Sequence, residues 1–165
     1  MIRHGLMRAA VAGWACLLLV PPALADGGPS KPRLSVERDG GEPVIVHQGE
    51  GSFYGGGFHG RETASGDRFD QNAATAASRT LPLGTRATVT NQETGRSAEV
   101  TVNDRGPYAG NRVVDVSKGT AETLGITGKD GTAPVRVEAR PSDQSDPQVR
   151  EKLEEKAGSL EKQGR

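Results

Sequence analysis

The chain has 165 residues, room for one domain, and a formal charge of zero at pH 7, without the basic excess of a nucleic-acid-binding surface. Of its AVILMFWYC residues, 18 lie in the first 25 positions, and such residues make up only about a quarter of the rest of the chain, so no large core can form. The 23 glycines and 10 prolines fit one small, turn-rich domain with flexible flanks.

Residues 1–25 read as an export signal. Arg3, His4 and Arg8 precede an apolar run over residues 9–20, and Ala23-Leu24-Ala25 has the small-x-small spacing that signal peptidase reads. The expectation is export to the periplasm or the outside, with a mature chain that starts at Asp26 and carries a formal charge of −2. A run of about 12 apolar residues is shorter than the roughly 20 that span a bilayer, so no transmembrane segment is expected. The single Cys, Cys16, lies inside the signal. A lipid anchor there is disfavoured, because no aliphatic residue stands three before it and Leu17-Leu18-Leu19-Val20 comes after it. Cleavage then leaves no disulfide, thiol nucleophile or thiolate metal ligand.

Residues 26–48, rich in Gly, Pro, Ser and charge, read as a flexible linker with a solvated His47 near its end. From 49 to 139 short alternating segments between turn residues predict a small all-β barrel or sandwich. The predicted strands are 49–54, 85–91, 96–102, 112–116 and 134–138, with Glu93-Thr94-Gly95 as a hairpin loop. Ser117 predicts the cap of one short helix through Leu124, closed by Gly125. Residues 140–165, with only Val149, Leu153 and Leu160 large and apolar, predict a charged tail, disordered or weakly helical.

The informative blocks are Ser52-Phe53-Tyr54-Gly55, Phe58-His59-Gly60-Arg61-Glu62-Thr63-Ala64-Ser65-Gly66-Asp67, Thr75-Ala76-Ala77-Ser78-Arg79-Thr80-Leu81-Pro82, Val102-Asn103-Asp104-Arg105-Gly106-Pro107-Tyr108 and Val114-Asp115-Val116-Ser117. In this order they resemble the rare lipoprotein A family. The resemblance implies a six-stranded double-psi β-barrel over 49–139. For enzymatic members it implies a lytic transglycosylase that cleaves peptidoglycan glycan strands endolytically and prefers strands stripped of stem peptides. The expectation is a monomer that needs no cofactor, and His47 and His59, without ligand spacing, give no metal site.

Ordinary glycoside hydrolysis needs two carboxyl groups. A lytic transglycosylase attacks with the sugar's own C6 hydroxyl, so one carboxyl suffices to protonate the glycosidic oxygen and later take the C6 proton. Asp104 stands between a predicted strand and Gly106-Pro107, where a rigid element gives way to a loop, and the resemblance places the catalytic Asp in this block. An Asx turn is the competing reading. Asp67 stands where the family usually shows Glu, which withdraws its carboxylate by over 1 Å, and is expected to assist. Ser78 stands where the enzymatic pattern has His, and a hydroxyl cannot relay a proton near pH 6.5.

Arg61, Thr63, Arg79 and Arg105 are candidate glycan-binding groups. Tyr54 and Tyr108 are candidate stacking platforms, while Phe53 and Phe69 are assigned to the core. Asp115, in an apolar strand, is expected to be a structural acid paired with a base such as Arg105. The two substitutions keep open a second reading, a wall-glycan-binding module without turnover.

Overall fold

A computed structural model of the chain describes residues 31–54, 56–127 and 131–164. The export signal read from residues 1–25 lies outside the described residues. Seven strands and two helices occur in order: β1 (Arg33–Asp39), β2 (Glu42–Phe53), β3 (Thr75–Ala77), β4 (Arg86–Asn91), β5 (Ser97–Asp104), β6 (Arg112–Val116), α1 (Lys118–Leu124), β7 (Thr132–Ala139) and α2 (Pro147–Gln163). Strands β2, β6, β3, β5, β4 and β7 pair in that sequence, and β7 pairs back onto β2, so six strands close a barrel. Two pairings are parallel, β2 with β6 and β3 with β5, and the rest are antiparallel. The barrel expected from the sequence is therefore present.

Alternation in the strands fills its interior. Ala87 and Val89 of β4, Val100 and Val102 of β5, and Ala133, Val135, Val137 and Ala139 of β7 are buried while their neighbours face outward. Each buried valine contributes about 1.5 kcal/mol or more. The barrel also needs glycine in β2: a Cβ on Gly51 would stand 2.8 Å from Val135 Cγ2, and one on Gly49 2.5 Å from Val113 Cγ1. Close strand approach thus replaces side chains at these positions. Helix α1 forms as read, with Ser117 Oγ accepting from the Thr120 amide and Gly125 closing it at φ 74°.

The flanks differ from expectation. Residues 33–48 are not a linker: β1 and the first half of β2 form a hairpin in register from Arg33–Gln48 to Asp39–Glu42. Gly40 and Gly41, at φ 57° and 90°, make its two-residue loop, a conformation open to few other residues. Residues 140–165 are not a disordered tail. Asp146 caps α2 through the Gln148 amide, Pro147 occupies its first turn, and Val149, Leu153 and Ala157 form a stripe at four-residue spacing buried against the barrel. Gln144, almost fully buried, joins both ends of its amide to the backbone of Arg86 and so ties the lead-in to β4. Among the described residues no helix is long and apolar enough to cross a membrane.

Candidate active site

One rung of the sheet organises the site. Ser52 of β2 pairs with Asp115 of β6, Asp115 with Ala77 of β3, and Ala77 with Asp104 of β5. Side chains on one rung point to one face, and the methyl of Ala77 separates the two acids. Asp104 is the last residue of β5 and half-buried. Its Oδ1 accepts from the Ala64 amide at 3.0 Å and from the Arg105 amide at 2.8 Å, and its Oδ2 accepts from the Tyr54 hydroxyl at 3.2 Å. Two of these three donors come from distant parts of the chain, so the contacts extend beyond a local Asx turn.

Asp67 reaches this place on a small hairpin. The Gly60 amide donates to the Phe69 carbonyl, the Phe69 amide to the Arg61 carbonyl and the Thr63 amide to the Asp67 carbonyl, and the tip docks on β5 through the Ser65 amide, which donates to the Asn103 carbonyl at 3.0 Å. Asp67 Oδ2 accepts from Ser65 Oγ at 2.8 Å and is otherwise exposed. Thr63 is buried, and its hydroxyl is engaged by the Asp67 carbonyl and Ser65 Oγ inside the hairpin.

Ser78 comes directly after β3, and its amide donates to the Asp104 carbonyl at 3.1 Å. Its Oγ is buried and accepts from the amides of Thr80 and Leu81, both at 3.2 Å. The Ser78 hydroxyl is thus committed to its own turn.

The aromatic residues divide. Phe69 is buried and Phe53 packs on the core, as assigned. Tyr54 is half-buried, with ring centroids 5.0 Å from Phe69 and 5.7 Å from Phe58. Burial, and then the Asp104 carboxylate beside it, push the Tyr54 phenol above its ordinary pKa, so it stays protonated and donates. Tyr108, 78% exposed, and Phe58, 46% exposed, flank this region as open rings. The Arg61 guanidinium sits 5.4 Å above the Phe58 ring, and Arg79 donates to the Arg112 carbonyl.

The expected Arg105–Asp115 pair is absent. Arg105 Nη1 donates to the carbonyls of Ser78 and Leu81, at 3.0 and 2.6 Å. Asp115 is instead met by Ser52 Oγ at 2.6 Å and by Arg112 Nε at 3.5 Å, three residues back on its own strand. Asp115 is therefore buried and paired, with Arg112 and not Arg105 as its cation.

His47 is the residue the sequence reading missed. It lies in β2, only 8% exposed, with Nδ1 3.1 Å from Thr80 Oγ1, which is 3.3 Å from Ser78 Oγ. Burial, then Arg79 and Lys156, lower its pKa to about 4, so it is neutral near pH 7. The period of Ile45 and His47 around Val44 and Val46 was a signal for a strand buried on both faces.

Comparison with known proteins adds the family. The model of the lytic transglycolase family, a double-psi barrel domain, matches residues 46–137. The endolytic peptidoglycan transglycosylase RlpA of Neisseria meningitidis is 50% identical over 62% of this chain and 43% of its own length. Probable enzymes of that name from Synechocystis and Nostoc are 60% and 56% identical, over 49% and 57% of this chain and 25% and 26% of theirs. The chain thus spans less than half the length of these relatives. With its barrel closed and its matched segment covering more than half of the sequence, the chain belongs to the lytic transglycolase family.

Proposed function

We propose that the chain is exported and cleaves peptidoglycan glycan strands as an endolytic lytic transglycosylase that leaves 1,6-anhydro-muramoyl ends. The observation that carries this reading is the carboxyl of Asp104, held by three donors at the mouth of the barrel beside a hairpin that presents a second acid, Asp67. The names of the relatives support the substrate class.

In this mechanism Asp104 enters protonated and gives its proton to the glycosidic oxygen as the bond from C1 to that oxygen breaks, and the Tyr54, Ala64 and Arg105 donors hold the carboxylate that forms. The C6 hydroxyl of the same sugar attacks C1, and its proton passes to Asp104, which restores the acid. Asp67 lies at the rim, where it orients the sugar. Tyr54 fixes the Asp104 carboxyl, and Tyr108 offers a stacking face. No water enters the bond-making step, so the single well-held acid suffices.

The test is incubation of the purified protein with peptide-stripped glycan strands, with products read by mass spectrometry. Anhydro ends are expected from the wild type, and Asp104→Asn is expected to lower their yield by at least 10²-fold, the lower range of general acid–base catalysis. Asn keeps the acceptor for the two amides, so the fold is retained. Intact strands from folded wild type would sink the reading. Export is tested by cell fractionation with N-terminal sequencing, which is expected to begin at Asp26.

A second reading, a glycan-binding module without turnover, is favoured by the commitment of Ser78 Oγ to the Thr80 and Leu81 amides. Wild-type protein that co-sediments with intact strands, together with cleavage by Ser78→His, would establish it.

A further inference from the structure

Helix α2 lies beyond residues 46–137, the segment that the family model matches. While its stripe of Val149, Leu153 and Ala157 packs inward, its flank faces loop 79–83 across an open groove of about 560 Å³. Four cations line the groove, Arg79, Arg105, Lys152 and Lys156, against one acid, Glu155. The whole chain is formally neutral, so this excess is local.

Among the described residues, none of the four cations stands within ion-pair distance of a carboxylate, although Arg38, Arg86, Arg112, Arg136 and Arg140 all do. Arg105 is fixed by the carbonyls of Ser78 and Leu81, which orient the guanidinium and leave its charge uncompensated. His47, joined to the groove through Thr80, feels the same field, since Arg79 and Lys156 both disfavour its protonation. An excess of cations over acid, with Arg105 held in place by carbonyls on the wall of an open groove, is an arrangement that receives an anion. The loop that forms the groove is tied to the candidate site by the Ser78 amide, which donates to the Asp104 carbonyl at 3.1 Å, and Arg105 follows Asp104 in the chain.

We propose that the groove between loop 79–83 and α2 is an anion subsite that takes the carboxylates of the wall glycan whose scissile bond lies at Asp104. This rests on the reading of the chain as a glycan-cleaving protein. A glycan stripped of its peptides carries a lactyl carboxylate on every muramic sugar, so a strand laid across Asp104 brings such groups past Arg105. Arginine suits a carboxylate through its planar fork, and the lysines of α2 add point charge further along. Wall phosphates share the anionic chemistry, and the choice between the two sources is open to experiment.

The experiment measures binding by fluorescence anisotropy with Asp104→Asn protein, which prevents cleavage, and three probes. These are labelled peptide-stripped strands, the same strands with their carboxyls reduced to alcohols, and inorganic polyphosphate as competitor. Reduction of the carboxyls is expected to weaken binding at least tenfold at low salt. Adding Lys152→Gln and Lys156→Gln together is expected to weaken binding of the unreduced strands about tenfold and to leave the reduced strands unaffected. Glutamine keeps the helix propensity of lysine, and a thermal melt checks the fold.

Equal affinity for reduced and unreduced strands, or a double variant that leaves the gap between them intact, would overturn the subsite. Polyphosphate that displaces the strands more strongly than unlabelled strands do would overturn the carboxylate assignment. Cleavage by wild type separates the two proposals. Cleavage without an affinity gap leaves the transglycosylase and removes the subsite, whereas an affinity gap without cleavage keeps the subsite and removes the transglycosylase.

Discussion

The phenol of Tyr54 donates to Asp104 Oδ2 across 3.2 Å and so joins the residue just after β2 to the last residue of β5. A hydrogen bond to a charged group is worth about 1.5 kcal/mol or more, roughly tenfold in rate when it holds a reacting group in place. Tyr54→Phe keeps the ring packing on Phe69 and Phe58 and removes only this donor. Release of anhydro products is expected to slow about tenfold. A melting temperature within a few degrees of wild type would assign the loss to the carboxyl and exclude a loss of folding.

Ser78 is expected to act on stability. Its Oγ satisfies the amides of Thr80 and Leu81, and Ser78→Ala leaves both without this acceptor in a buried turn. The expected cost is about 1–2 kcal/mol, a drop of roughly 5 °C in melting temperature by calorimetry. A rate that falls while the melting temperature holds would instead give the hydroxyl a part in the chemistry.

His47 makes stability depend on pH. The unfolded chain carries an ordinary imidazole near pH 6.5, whereas the folded one titrates at about 4. Between these values the unfolded state binds more protons, so stability is complete above about pH 6.5 and declines as pH falls toward about 4. The decline attributable to His47 is about 2 kcal/mol after allowance for screening of its charged neighbours. His47→Gln keeps a partner for Thr80 and is expected to flatten this part of the denaturant midpoint against pH. Parallel profiles for the two proteins would refute the assignment.

Leu153 tests whether α2 belongs to the barrel. Its side chain is fully buried in the core cluster, and Leu153→Ala is expected to destabilise the whole domain by about 2–4 kcal/mol. One cooperative urea transition, shifted to a lower midpoint, is the expected result. An unshifted midpoint would mean that the helix is not part of the folding unit.

Much of the barrel was legible in the chain. Strands β4, β5 and β7 show apolar alternation within a few residues, β6 is a short apolar run, and Ser117 and Gly125 mark the ends of α1 by the chemistry of their own caps. The hairpin of β1 and β2 carried a signal in Asp39-Gly40-Gly41-Glu42 that its polar composition masked. Helix α2 did too, in Asp146-Pro147 and in Ala157, which completes the stripe of Val149 and Leu153 once small residues are counted. Three-residue β3 has no legible pattern, because its place depends on pairing with β5 and β6 on its two sides.

The sequence by itself determined most of the local elements and the turns, since each depends on residues close together along the chain, and it offered Asp104 as the leading candidate acid only through the resemblance of its block. Only the tertiary structure decided that Ser52, Asp115, Ala77 and Asp104 share a rung, that Arg112 and not Arg105 faces Asp115, and that His47 is buried beside Thr80. Those contacts join positions up to 63 residues apart, and strand register and burial, which no local pattern encodes, choose among the partners of matching chemistry.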